Sequence, residues 1–148
     1  MARSYDMSRR SAQADRTAER IVTATEALVA TGPLSEVTLS SIAEGAGVTV
    51  QTVLRHMGSR EGCLEAVGRR VAERIAQQRG HTEPGDARAA ITELIAHYEA
   101  EGRLVLNLLG QEQASDDTAA QTVAEGRAVQ RAWVERCLGP LRAELTQE

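Results

Sequence analysis

Gln51 and Arg55 lie four residues apart in the run TVQTVLRHM, Thr49 to Met57. Residues at i and i+4 share one face of a helix. Glutamine pairs a donor with an acceptor in the pattern of an adenine edge, and the arginine fork matches guanine. Leu54 shares that outward face, Val50 and Thr52 flank it, and Val50 and Leu54 suit thymine methyl groups. This is chemistry for reading bases rather than for breaking bonds. The bland alternative is an ordinary solvated face with two stray aliphatics. No nucleophile stands near a general base, and no metal-spaced cluster or phosphate loop occurs. Glu99, Glu101 and Glu112 are spread along helical patterns and read as solvated faces. The expectation is therefore no enzyme and no cofactor.

The segment Thr38–Cys63, TLSSIAEGAGVTVQTVLRHMGSREGC, must hold that face in place. It carries two short helical patterns around Gly45-Ala46-Gly47 and then opens a further helix. One turn residue needs positive φ, which glycine adopts without a Cβ penalty. Ala43 is small enough for a close helix crossing. Ile42, Val48, Val53 and Met57 supply the apolar set, with Val53 and Met57 on the core side. Thr38 and Thr49 are placed to cap the second and third helices. The pattern is a helix-turn-helix, which places its second helix in a DNA major groove.

The flanks extend this reading. A first helix is expected from Arg16 to Thr31, with Ala18, Ile21, Val22, Thr25, Leu28 and Val29 as its buried stripe, ended by Gly32-Pro33. Residues 1–15, with Arg3, Arg9 and Arg10, read as a flexible basic arm suited to a minor groove or simply as a loose terminus. Ser59 caps a fourth helix from Arg60 to about Arg79, with Leu64, Val67, Val71 and Ile75 inward. Gly80–Gly85 is a polar break and a candidate boundary. Asp86 caps a fifth helix, Gly102 interrupts it, and Leu104–Leu109 form a short sixth. A seventh runs from about Asp117 to Leu138, where Gly139-Pro140 end it. The expected domains are the arm, a DNA-binding domain at 16–60 and a helical regulatory domain at 61–148.

Composition agrees with packed helices. Aromatics are 2% of the 148 residues and phenylalanine is absent, so the core is aliphatic. All 17 basic residues are arginine, which suits phosphate and guanine, although a GC-rich genome gives the same bias. Residues 1–80 carry 11 Arg against 9 acids, and residues 81–148 carry 6 against 12, within a net charge of −4. The half with the helix-turn-helix is the basic half. Cys63 and Cys137 are outside any metal spacing and read as reduced thiols. No secretory signal or membrane span is visible, so the expected location is the cytoplasm.

The runs RTAERIVTATEALVATG and TLSSIAEGAGVTVQTVLRHMGSREGCLEAV resemble the TetR family of bacterial transcriptional regulators, and GRAVQRAWVERCLGPL resembles the body of some members more weakly. The resemblance implies an all-α protein: a three-helix DNA-binding head joined by a long fourth helix to a ligand-binding and dimerisation body. It implies phosphate contacts for Thr38, Ser40, Thr49, Thr52 and His56, with Ser40 and Thr38 near a base, and base reading by Val50, Gln51 and Arg55. Arg60 stands where the family usually has lysine and would hold a phosphate at a helix N-terminus. Leu54 takes the usual tyrosine position, so a phosphate-binding hydroxyl is lost, and Met57 takes the place of phenylalanine. Family members usually continue for tens of residues past this chain's end with two dimer-forming helices, so the body is expected to be shortened.

The resemblance further implies a homodimeric repressor on double-stranded DNA at a palindromic operator, responsive to a small-molecule effector. His97, Tyr98, Leu104, Leu108 and Trp133 are the expected effector contacts, although Trp133 and Tyr98 also suit a core and His97 a half-exposed helix position. A second reading is a helical interaction module that pairs with a related regulator.

Overall fold

Glycine, proline and capping hydroxyls set the element boundaries. The computed structural model describes residues 2–80, 82–111 and 117–145. Its helices are α1 (Ala2–Thr31), α2 (Leu39–Ala46), α3 (Val50–Met57), α4 (Arg60–Arg79), α5 (Ala87–Gln111) and α6 (Asp117–Leu145), with one 3-10 turn at Leu34–Glu36. Among the described residues there is no strand. Thr38 caps α2, its hydroxyl accepting the Ser41 N–H at 3.1 Å, while the Ser41 hydroxyl accepts the Thr38 N–H at 2.9 Å. Thr49 caps α3 by accepting the Thr52 N–H at 3.2 Å. Ser59 accepts the Gly62 N–H at 3.1 Å, and Asp86 accepts the Ala89 N–H at 2.9 Å. Each cap satisfies a donor that a helix start leaves without an intrahelical partner.

The chain divides into two compact units, Met1–Arg69 and Arg70–Glu148. In the first, α1 packs on α2 and α3, and α2 packs on α3. Ile21, Ile42 and Val53, one from each helix, are fully buried, as are Thr25 and Cys63. The Thr25 hydroxyl donates to the Ile21 carbonyl at 2.8 Å, which settles its polar atom inside the core. In α4 the innermost side chain is Cys63 rather than Leu64, which is half-buried. The second unit packs α5 on α6. Ala90, Trp133 and Cys137 form its core, with Leu94, Val134 and Leu138 against them. Arg74 and Glu101 form a bidentate pair at 2.9 Å, so Glu101 is not a merely solvated carboxylate.

Four expectations are corrected. Residues 2–15 lie within α1 instead of forming a loose arm. No glycine or proline occurs before Gly32, and Ala, Arg, Gln and Met all favour helix. Gly102 does not interrupt α5, so the expected fifth and sixth helices are one. A single glycine costs only about 1 kcal/mol in a helix, and the packed face on both sides outweighs it. Pro140 lies inside α6, which continues to Leu145. Proline removes one ladder bond and opens the carbonyls before it, and the Cys137 carbonyl accepts the Gly85 N–H at 2.8 Å. Finally, the units divide within α4, not at Gly80–Gly85. That break is tied to α6: Arg136 donates to the Thr82 and Arg79 carbonyls, both at 2.9 Å. Met1, His81 and Glu112 lie outside the described residues.

Candidate nucleic-acid interface

Val53 sits at the centre of α3 with no exposure. Gln51 and Arg55, two residues to either side, therefore turn outward, and both are exposed. Val50, Thr52, Leu54 and His56 are half-buried around them, and Met57 is half-buried at the helix end. The α3 face carries the expected base-reading pair together.

The turn before α3 depends on Gly47, which has φ 62° and ψ 42°. Its N–H donates to the Glu44 carbonyl at 3.0 Å, and the next N–H, on Val48, donates to the Ala43 carbonyl at 2.9 Å. These bonds close the end of α2 in the left-handed geometry that glycine favours. Arg20 in α1 donates to the carbonyls of Ala46 and Gly47, the latter at 3.1 Å. A cation at the negative end of α2 is favourable. Gly45 gives a second close approach, since a Cβ there would lie 3.3 Å from the Ala24 Cβ.

The other end of α3 is set by Gly62. A Cβ at this position would fall 2.1 Å from the Met57 carbonyl oxygen, so the first turn of α4 sits directly on the end of α3. Gly58, at φ 78°, makes the intervening turn. Burial pushes the Cys63 thiol above its ordinary pKa, Thr25 opposing through a hydrogen bond. That thiol is a packed hydrophobe beneath the head.

The hydroxyls expected at phosphates are arranged as caps. Thr38 is exposed and bonded to Ser41, and Ser40 is exposed in the first turn of α2. The Thr49 and Thr52 hydroxyls bond one another at 2.9 Å. Arg60 is placed differently from the expectation. Its Nε donates to the Val37 carbonyl and its Nη2 to the Leu34 carbonyl, both at 2.6 Å. Its Nη1 lies 3.4 Å from Glu61. The guanidinium is engaged in holding the 3-10 turn and the entry to α2: it adds a charged donor to the Leu34 carbonyl, which also accepts the Val37 N–H at 3.1 Å, and supplies one to the carbonyl of buried Val37.

The expected effector contacts divide. Trp133, His97 and Leu104 are buried and Leu108 is half-buried. Tyr98 is 48% exposed and so does not suit a core or an enclosed pocket, although its ring lies 5.0 Å from that of His97. The face of α5 that packs inward runs through Ala90, Leu94 and His97, and Tyr98 is one step off it. His97, in contrast, is nearly sealed. Sequence reasoning missed Arg79. A cation at a helix end reads as a solvated dipole partner, yet Arg79 is 6% exposed and lies 5.1 Å over the Trp133 ring.

Among the described residues, no group of three or more His, Cys, Asp or Glu is placed to hold a metal ion, and no helix is long and apolar enough to cross a membrane. Comparison with curated proteins and with solved structures gives no match. The model of bacterial regulatory proteins of the tetR family matches residues 21–67, which span the core of α1, both short helices and the start of α4. That segment is therefore similar to the DNA-binding part of tetR-type bacterial regulatory proteins, and the likeness covers about a third of the chain.

Proposed function

We propose that this DNA-binding transcriptional regulator acts as a ligand-responsive repressor, a homodimer bound to a palindromic operator. The observation that carries the reading is the outward pair Gln51 and Arg55 on a helix whose opposite residue, Val53, is fully buried. In the proposed complex Gln51 reads adenine, Arg55 reads guanine, and Val50 and Leu54 meet thymine methyls. Ser40, Thr38, Thr49, Thr52 and His56 serve phosphates, helped by the N-terminal ends of α2 and α3. Two copies place their α3 helices one DNA turn apart, about 34–36 Å. An effector in the second unit shifts the protein towards a state that binds the operator less well. Ile91, Ile95 and Leu109 on α5 are large, apolar and exposed, which supports pairing of chains.

The same exposed residues favour one second reading, a module that pairs with a related regulator. Selection from a random duplex DNA pool at near-physiological salt separates the two. An enriched inverted repeat is the expected result. A single half-site removes the homodimer from the proposal. No enrichment by the folded protein overturns DNA reading and leaves the pairing module.

A further inference from the structure

Among the described residues, three buried polar atoms of the second unit have no hydrogen-bond partner: Arg79 Nε, His97 Nδ1 and Trp133 Nε1. Their residues are 6%, 4% and 7% exposed, so bulk water does not serve them. They come from the end of α4, from α5 and from α6. Arg79 lies 5.1 Å over the Trp133 ring, and its charge acts on His97. Ala90 and Leu94, which precede His97 on the same face of α5, pack against Trp133. The three atoms therefore belong to one interior region.

Buried polar groups are almost always paired, and a buried cation needs an anion or a set of acceptors. Arg79 stays protonated in a protein, and its Nε–H is a donor only. The indole N–H of Trp133 is also a donor only. Neutral His97 can offer a third donor at Nδ1. Among the described residues no carboxylate forms an ion pair with Arg79. The nearby Glu93 acts on Arg79 through its charge without bonding to it, its carboxylate accepting from the Thr82 hydroxyl, and Glu101 is held by Arg74. Two fixed donors and one adjustable donor, beside a buried cation that no carboxylate contacts directly, call for an anionic acceptor.

We propose that Arg79, His97 and Trp133 form a binding site for a small organic carboxylate. This deepens the effector reading by naming the ligand class, and it rests on that reading only for its regulatory consequence. Arg79 carries the charge recognition, Trp133 and His97 donate to the carboxylate oxygens, and Leu94, packed against the Trp133 cluster, provides apolar surface.

Trp133 is the only tryptophan and so reports on the site by its fluorescence. The full chain is titrated with acetate, benzoate and decanoate, each against its primary amide. The expected result is a saturable change with at least one carboxylate, weakened at least about tenfold for its amide, as a charged hydrogen bond requires. Arg79→Gln should abolish the response, and Arg88→Gln, on the exposed side of α5, should retain it. If Arg79→Gln does not fold, His97→Gln replaces it, with a several-fold weaker response expected. No saturable change with any of the three, an equal response to the amides, or a response that survives Arg79→Gln overturns the site. DNA selection on the same preparation separates the claims. Operator enrichment without a carboxylate response removes the site alone. A carboxylate response without enrichment removes the regulator reading and leaves the site.

Discussion

Arg20 Nη2 donates to the Gly47 carbonyl at 3.1 Å and would lie 2.9 Å from a Cβ at Gly47. One atom of α1 therefore fastens the turn and must move aside for any side chain on it. Gly47→Ala should cost about 1–2 kcal/mol from left-handed backbone alone, and about 1.5–3 kcal/mol more where the charged bonds to Ala46 and Gly47 break. Removing Arg20 first relieves the second part. A urea-unfolding cycle of Gly47→Ala, Arg20→Ala and the double variant should thus show a double loss well below the sum. Strict additivity would sink the coupling.

Gly62 makes a sharper test, because the neighbour it would strike is backbone. Its missing Cβ leaves room for the Met57 carbonyl at 2.1 Å, and no rotamer relieves that clash. Gly62→Ala should destabilise the head by about 3 kcal/mol or more. Gly68→Ala and Gly102→Ala, where a Cβ meets nothing within 4 Å, should instead each stabilise by about 0.5–1 kcal/mol. The contrast is read from thermal midpoints of the three variants.

These glycines also show what a sequence displays and what it hides. Gly47 was legible because a turn flanked by two apolar helices demands positive φ somewhere. The caps at Thr38, Thr49, Ser59 and Asp86 were legible because capping is local chemistry. Gly62 was not, since its constraint comes from a carbonyl in another helix. Gly102 and Pro140 misled for the opposite reason: both are local breakers overridden by long packed faces. The outward face of α3 follows from periodicity. Which arginines are free to meet DNA does not, because that depends on which backbone carbonyls the fold brings within their reach.

Arg60 is the case in point. Its Nε and Nη2 serve the Val37 and Leu34 carbonyls, so its loss should act on the fold before it acts on DNA. Lysine offers no fork to span both acceptors. Arg60→Lys should lose about 1.5–3 kcal/mol in urea unfolding, the scale of a charged hydrogen bond, with the salt dependence of DNA binding unchanged. A salt slope reduced by about one phosphate, with stability intact, would return Arg60 to the phosphate role.

His97 should make stability depend on pH near neutrality. Burial, then the positive charge of Arg79, holds its imidazole below the ordinary histidine value, with Glu101 opposing. As pH falls, the unfolded chain takes up the proton first, at about pH 6.5. The stability linked to neutral His97 is therefore present above that value and lost as pH falls through the lower folded value. Unfolding midpoints between about pH 7.5 and 5.5 should drop on acidification in the parent chain and drop less in His97→Gln. Equal slopes would show that the buried imidazole is not the group that titrates.

Base reading by α3 has a signature distinct from every effect above, because it changes which DNA is preferred. Gln51 and Arg55 are exposed and outside the core, so their removal should leave the fold intact. Each specific contact is worth about 1–3 kcal/mol of discrimination. Gln51→Ala should relax the preference for adenine at one position of each half-site, and Arg55→Ala that for guanine at another. The two positions should be separated along the groove, as residues one helical turn apart require. Phosphate contacts behave otherwise: Ser40→Ala should weaken all duplexes to a similar degree. Binding measured against a set of single-base operator variants resolves these patterns. A Gln51→Ala, Arg55→Ala chain that keeps the parent's preferences at every position would show that the exposed face of α3 is not the reading face.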